Sequence, residues 1–203
     1  MRKPYVFMFS GQGSQYFHMG KALYEHHAIF KFWMDRLNSL VLKDFKYSVL
    51  AKIYETSKKP SEDFNCTLYT HLAIFMVEYA LYQTLLAENV YPDIVLGTSL
   101  GELTAAAVAD ILSYEEALYL IIKQAQSFTQ LCQPGSMLTI LGDLKHYHDC
   151  PEVSNITTLA ATNFQGHFTL AGGKEQIKIV ADIMQKKGVN NYLLPVLSRL
   201  APK

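Results

Sequence analysis

The residues whose types and spacing could do chemistry lie in the run Asp-Ile-Val-Leu-Gly-Thr-Ser-Leu-Gly-Glu at positions 93–102. Its apolar part, Ile94–Leu96, predicts a short buried strand, and the alanine-rich run Leu103–Val108 predicts a helix. Gly-x-Ser-x-Gly between a strand and a helix is typical of a nucleophile elbow, which exposes a serine hydroxyl on a sharp turn. This context predicts Ser99 as a nucleophile and leaves the backbone N–H of Leu100 free to face an oxyanion. The alternative is an ordinary glycine-rich turn between a strand and a helix.

A second glycine-rich loop, Ser-Gly-Gln-Gly-Ser-Gln at positions 10–15, follows the predicted buried strand Val6–Phe9. By itself this loop indicates a flexible turn. A phosphate-binding loop is a poor alternative, because no Gly-Lys-Ser/Thr follows the glycines.

The elements that must position these loops alternate between strands and helices. The predicted elements are the strand Val6–Phe9, helices from about His18 to Leu40 and from Leu72 to Leu86, the strand Ile94–Leu96, the elbow helix, and a helix that starts at a capping box of Ser113 and Glu116 and ends near Leu131. This order predicts an α/β layer arrangement over residues 1–132, which we interpret as the first part of a large, α/β-hydrolase-like subdomain with an incomplete parallel sheet.

A different pattern of elements begins at residue 133. The predicted elements are the strands Met137–Leu141, Thr157–Ala161 and Phe168–Ala171, a turn at Gly172–Gly173, an amphipathic helix Glu175–Lys187 and a final strand Tyr192–Val196. We interpret this β-(helix)-β-β-α-β order as a small ferredoxin-like subdomain over residues 133–197, inserted into the larger one. Residues 198–203 would be a tail where the remainder of the large subdomain would begin.

Composition and charge exclude several classes of protein. Half of the 203 residues are apolar and 18% are charged, which is ordinary for a globular protein with a sizeable core. The 18 Lys and Arg residues balance 18 Asp and Glu residues, so nothing points to nucleic acid or to an acidic membrane surface. The sequence predicts no membrane span and no signal peptide. The three widely spaced cysteines indicate reduced thiols, and we therefore expect a cytoplasmic protein.

With both glycine loops placed, the chain resembles the malonyl-CoA:acyl carrier protein transacylase family, which includes the acyltransferase domains of polyketide and fatty acid synthases. The matching segments, in the family's order, are Phe9–Gln15, Gly97–Glu102, Pro134–Met137 and Asn163 ahead of Thr169–Gly173. The resemblance implies that Ser99 forms an acyl ester from a thioester, with Gln12 and the N–H of Leu100 as the oxyanion hole. It also implies that His71, at a position where many relatives have Gln, and Asn163 bind substrate.

One departure from the family concerns substrate choice. Family transacylases carry an arginine that pairs with the malonyl carboxylate, and counting 25 positions past Ser99 reaches Gln124 instead. A neutral Gln cannot form a charge-assisted fork with a carboxylate, and a buried carboxylate without its partner costs roughly 3–5 kcal/mol. Lys123 does not replace the arginine, because it points about 100° away around the helix. Gln124 would then bind neutral acyl groups, although an ordinary surface Gln is the alternative.

A second departure concerns the general base. The family's catalytic histidine follows a segment like Leu194–Val196, but the run Leu197–Lys203 contains no His. We therefore expect no general-base histidine in this chain and a C-terminal truncation relative to the family. His18 could lie near the rim of the pocket. His146, His148 and Cys150 alternate loosely like metal ligands, but no fourth ligand completes them, so we expect no metal.

The Arg-to-Gln change resembles the discrete acyl hydrolases that accompany trans-acyltransferase polyketide synthases. The favoured hypothesis is an acyl hydrolase that removes acetyl or other short acyl groups from acyl carrier protein thioesters, as proofreading in polyketide and antibiotic biosynthesis. A malonyl- or acyl-CoA:acyl carrier protein transacylase is the alternative enzyme, and an inactive fragment or docking module is the non-enzymatic one. The expected partners are acyl carrier protein domains and acyl-CoA. We expect no cofactor, since the substrate carries its own phosphopantetheine.

Overall fold

The computed structural model describes residues 2–131 and 135–194, apart from the side chains of Asp44 and Thr129. The described residues form two compact units, with the division after Leu131. Pro134 of the predicted motif, Pro195 and Val196 of the predicted last strand, and the predicted tail 198–203 lie outside the described residues.

The first unit is a mixed α/β structure built on a short parallel sheet. Its elements are β1 (Val6–Phe9), α1 (Lys21–His26), α2 (Ala28–Phe45), α3 (Val49–Ile53), α4 (Thr67–Ala87), β2 (Ile94–Gly97), α5 (Gly101–Val108) and α6 (Tyr114–Leu131). Strands β1 and β2 pair in parallel, with Val6 opposite Ile94 and Phe9 opposite Gly97. Their carboxyl ends therefore lie side by side, and these are the ends from which the two glycine loops emerge.

Helix α4 forms the centre of the first unit. Apolar residues lie on every side of it, and ten of its 21 residues are buried. It packs against α2, α5 and α6, which is the expected position for a helix without a polar face. The predicted capping box at the start of α6 is present, because Ser113 Oγ accepts from the Glu116 N–H and the Glu116 carboxylate accepts from the Ser113 N–H.

Two sequence-based predictions in this unit differ from the structure. The single helix predicted from His18 to Leu40 is wrong, because the chain breaks at His27 into α1 and α2. His27 has an extended backbone (φ −121°, ψ 111°), and its ring Nδ1 accepts from the N–H of Phe30 and so caps α2. Helix α3 was not predicted, because five residues are too few to show a helical period.

The second unit is a four-stranded antiparallel sheet packed against helices. Its elements are β3 (Gly135–Leu141), α7 (Lys145–His148), α8 (Pro151–Ser154), β4 (Thr158–Phe164), β5 (His167–Gly173), α9 (Lys174–Lys186) and β6 (Asn190–Leu194). The strands lie in the order β4-β5-β3-β6. The core joins Leu138, Ile140, Phe168 and Leu170 of the sheet to Ile177, Val180 and Met184 of α9, which share one helix face.

The predicted turn at Gly172–Gly173 is wrong. Both glycines lie in β5, where Gly172 pairs with Ser136 and Gly173 pairs with Gly135. Two adjacent glycines indicate a turn when the sequence is considered alone, but here the pairing with β3 keeps both in the strand. No helix in residues 2–131 or 135–194 is long and apolar enough to cross a membrane.

Candidate active site around Ser99

Ser99 lies on a tight turn between β2 and α5. Its backbone is in the left-handed region (φ 55°), which a residue with a side chain rarely adopts and which costs of order 1–3 kcal/mol. The turn is held by bonds from the Gly101 N–H to Thr98 O (3.0 Å) and from the Glu102 N–H to Ser99 O (3.0 Å). The side chain of Ser99 is exposed. This is the strand–turn–helix geometry that presents a serine hydroxyl to a substrate.

The loop 10–15 lies directly against this turn. A Cβ placed on Gly11 would lie 2.7 Å from Thr98 O and 3.1 Å from Ser99 Cβ, and a Cβ on Gly101 would overlap the carbonyl oxygen of Phe9. The Thr98 N–H donates to Phe9 O at 3.1 Å. Glycine is therefore required at both positions by close approach of the two backbones. Gly101 of the elbow and Gly11 of the loop therefore permit the same close contact between the two backbone segments.

The contact leaves two backbone donors beside Ser99. Among the hydrogen bonds between residues 2–131, none uses the N–H of Leu100 or the N–H of Gln12. Leu100 lies at the N-terminal end of α5, where orphan N–H groups and the helix dipole both favour negative charge. Within the same residues the Ser99 hydroxyl has no hydrogen-bond partner. The arrangement brings together three of the residues that the sequence singled out.

His71 lies behind the loop rather than in the open. It is only 2% exposed on α4, and its Nε2 is 3.3 Å from the side-chain oxygen of Gln12. Burial lowers the pKa of His71 to about 4, so the ring is neutral near pH 7. Since an amide oxygen can only accept, the His71 Nε2–H donates to Gln12, and Nδ1 has no partner in the part of the chain that the structure describes. His71 therefore orients the Gln12 amide.

Gln124 is exposed on α6. It shares its side of this helix with Phe128, one turn further on, because residues four apart lie on the same side. The Phe128 ring meets the His71 ring edge-on with 6.1 Å between ring centroids. Gln124 is therefore on the side of α6 that faces the His71 end of α4. Lys123 is turned elsewhere, with its Nζ 5.2 Å from the Tyr119 ring centre.

The remaining candidates either belong to the second unit or have partners of their own. Asn163 is exposed on β4 in the second unit, at a register shift between Thr162 and Phe164, and its part in the site stays a prediction. His18 Nε2 is 2.7 Å from Lys58 O. Lys187 Nζ lies 3.1 Å from Cys150 Sγ. No group of three or more His, Cys, Asp or Glu residues in the described ranges is arranged to hold a metal ion.

Sequence reasoning missed Glu78 as a residue of this region. The Glu78 carboxylate on α4 accepts from the Ser10 N–H at 2.7 Å, the Ser10 hydroxyl at 2.8 Å and the Thr104 hydroxyl at 2.9 Å. Burial raises the pKa of Glu78 above its usual value, and the hydrogen bonds from Ser10 and Thr104 oppose that shift. The sequence did offer one signal for Glu78, because it is the one charged residue in the otherwise apolar and neutral run from Thr67 to Ala87.

Fold and geometry define a class, namely α/β proteins in which an elbow after a parallel strand exposes a serine beneath a second glycine loop. Comparison with known families places the chain within that class. Residues 6–194 match the acyl transferase domain, and the chain belongs to this family.

Individual relatives agree with the family match. The chain is 45% identical over 196 residues to the polyketide biosynthesis acyltransferase homolog BaeD of Bacillus velezensis, covering 97% of this chain and 60% of that protein. Its structure resembles the acyltransferase domain from the second module of the salinomycin polyketide synthase (TM-score 0.84, 28% identity, 98% of this chain and 46% of that one). It also resembles an acyl-carrier-protein S-malonyltransferase from Burkholderia pseudomallei (TM-score 0.79, 28% identity, 96% and 63%).

Proposed function

We propose that the protein accepts an acyl group on the Ser99 hydroxyl from a thioester and then passes it to water. One observation carries this proposal: the exposed Ser99, whose backbone is in the left-handed region, lies beside two backbone N–H groups that have no other partner among residues 2–131. A reactive serine and an adjacent pair of donors are the parts that acyl transfer requires.

The proposed cycle has two displacements. The Ser99 oxygen attacks the thioester carbon, the oxyanion is held by the N–H groups of Gln12 and Leu100, and the C–S bond breaks as the thiol leaves with a proton. Water then attacks the ester carbon, and the carboxylic acid leaves as Ser99 recovers its proton. In comparable sites, each such donor lowers the activation free energy by about 2.7–4 kcal/mol. A base must take the serine proton, and residues 195–203, where the family resemblance would place it, contain no His.

Gln124 supports neutral acyl groups as substrates. Counted from Ser99, it falls where the family resemblance would place the carboxylate-binding arginine, and it shares a face of α6 with Phe128. An amide and an aromatic ring suit acetyl or another short neutral acyl chain, whereas a malonyl carboxylate would lack a charged partner. This supports an acyl hydrolase that clears acyl carrier protein rather than a malonyl loader.

The proposed partner is the acyl carrier protein of a polyketide synthase. The relative from Bacillus velezensis is named for polyketide biosynthesis, and the Burkholderia neighbour acts on an acyl carrier protein. Phosphopantetheine would arrive with the substrate, so no resident cofactor is proposed, and the setting would be the cytoplasm. The second unit would be a ferredoxin-like domain, supported by its β-α-α-β-β-α-β element order and the strand order β4-β5-β3-β6.

A transacylase is the second candidate enzyme, and the malonyltransferase neighbour favours it. Chemistry at Ser99 would be the same, and only the acceptor would differ, a thiol instead of water. A docking module is the non-enzymatic candidate, favoured by the absence of a histidine from residues 195–203, where the family resemblance would place the base.

The test incubates the protein with acetyl-loaded and with malonyl-loaded acyl carrier protein and follows the intact mass of both proteins with time. We expect acetyl loss from the carrier that disappears in Ser99→Ala but persists in Ser39→Ala, a control at an exposed serine of α2. Faster transfer of malonyl than of acetyl to a second carrier would contradict the hydrolase hypothesis and favour the transacylase. Carrier binding without loss of either acyl group would favour the docking module.

A further inference from the structure

Glu78 connects the two backbone segments that border Ser99. Its Oε1 accepts from the N–H and the hydroxyl of Ser10, which opens the loop 10–15, and its Oε2 accepts from the hydroxyl of Thr104 in the middle of α5. One segment carries the N–H of Gln12 and the other begins at the N–H of Leu100. The carboxylate therefore fixes the loop and the helix to each other through separate oxygens.

The contacts of Glu78 run from the surface to the interior, because Ser10 is exposed and the Glu78 side chain is half-buried. Thr104 is fully buried, and its hydroxyl bonds to Glu78. Glu78 lies two helical turns after His71 on the same side of α4, because seven residues nearly complete two turns. These two side chains contact the first and third residues of the same loop, Ser10 and Gln12. A charged group within an apolar helix is costly unless it is hydrogen-bonded, and here each oxygen has a donor.

We infer that Glu78 is a positioning residue that holds the Gln12 and Leu100 N–H groups at the spacing that an oxyanion on Ser99 needs. The inference rests on the proposed acyl-ester chemistry at Ser99. It assigns Glu78 no contact with substrate. Its effect acts through Ser10 on the loop and through Thr104 on α5.

The test compares Glu78→Ala, Glu78→Gln and Thr104→Val with the unchanged protein. Rapid-quench mass spectrometry measures the rate of Ser99 acetylation by acetyl-loaded carrier across carrier concentrations. We expect Glu78→Ala to lower the maximal rate about 100-fold, as for misplaced catalytic donors, with little change in the half-saturating concentration. Glu78→Gln keeps an acceptor for Ser10 and should recover most of the rate. Thr104→Val removes one arm and should lose less than about tenfold.

Glu88→Gln, at the exposed end of the same helix, is the matched control and should leave the rate unchanged. Each variant is first checked for a native melting transition, and hydrogen exchange of the peptide spanning residues 9–17 reports the loop directly. Faster exchange of that peptide in Glu78→Ala alone, restored in Glu78→Gln, is expected.

The outcomes separate the two proposals. If the unchanged protein never acetylates Ser99, the proposed function fails, and hydrogen exchange still decides whether Glu78 holds the loop. A folded Glu78→Ala that acetylates like the unchanged protein, or that loses only affinity for the carrier, would overturn the inference. Unchanged exchange of residues 9–17 in that variant would overturn it as well.

Discussion

The sheets of the two units differ in strand number and in how their apolar faces are covered. The second unit has four antiparallel strands whose apolar face is covered by α9. Within residues 2–131, the first unit has two parallel strands, and one of their faces leaves the side chains of Val6, Met8, Ile94 and Leu96 exposed by 47%, 75%, 54% and 51%. Parallel strands are usually buried on both faces, whereas antiparallel sheets commonly leave one face to water. Among the described residues, Ser99 therefore follows a parallel sheet that has one exposed apolar face.

This contrast teaches that the geometry of the elbow is local. The turn at Ser99 depends on one pair of strands, on two glycine contacts and on the packing of α4 and α5. None of these needs the exposed face of β1 and β2. The other face, through Phe7, Phe9 and Val95, already packs on the core of the first unit.

The largest expected effect comes from core substitutions that test each unit separately. Phe75→Ala removes a fully buried ring from the first unit, and Phe168→Ala removes a nearly fully buried one from the second. Each should lower the unfolding free energy of its own unit by about 3–5 kcal/mol, from lost burial and from the cavity left behind. Hydrogen exchange resolved by peptide measures the two units separately. Equal loss of protection in both units from either variant would break the comparison.

A second prediction concerns the contact between the two glycine loops. Gly101→Ala places a methyl group against the carbonyl oxygens of Phe9 and Ser10, with Ser10 O at 2.7 Å. The backbone must shift, and we expect a loss of about 3 kcal/mol in the first unit. Gly166→Ala in the second unit is the control: its added Cβ meets nothing within 4 Å, and only its φ of 85° is strained, at about 1 kcal/mol. Comparable losses at both positions, measured by urea unfolding, would contradict the close approach.

A third prediction is a pH dependence that belongs to the first unit. The pKa of His71 is lowered by burial to about 4 from 6.5, so the unfolded chain binds a proton more tightly than the folded one. Stability contributed by neutral His71 is present above pH 6.5 and is lost as the pH falls towards 4, by about 2–3 kcal/mol. His71→Gln should flatten this part of the profile, whereas His26→Gln, at an exposed histidine, should not. Identical profiles for His71→Gln and the unchanged protein would refute this assignment.

The smallest expected effect sharpens the contrast between the two sheets. Met8→Lys changes a side chain that is 75% exposed on the open face of β1, and it should alter the unfolding free energy by no more than about 0.5 kcal/mol. Leu138→Lys, on the covered face of β3, should cost several kcal/mol, because a buried charge lacks a partner. A large loss for Met8→Lys would mean that another polypeptide surface covers β1 in solution.

Much of the fold could be predicted because its signals are local. The strand Val6–Phe9 has the predicted bounds, and α6 begins directly after its predicted cap, Ser113. The break at His27 could not be predicted, since a ring nitrogen that caps the next helix leaves the apolar period intact. The strand Gly172–Gly173 could not be predicted either, because pairing with β3 overrides the preference of glycine for turns.

The sequence by itself determined the family and the strand–turn–helix pattern around Ser99, because these depend on residue type and spacing along the chain. Only the tertiary structure decided that His71 orients Gln12 and that Glu78 joins Ser10 to Thr104. These contacts link residues that are 59, 68 and 26 positions apart. The physical reason is that a hydrogen bond depends on where packing places two groups. The packing of α4 against the loop 10–15 and α5 joins distant parts of the chain, so no repeating pattern in the sequence indicates it.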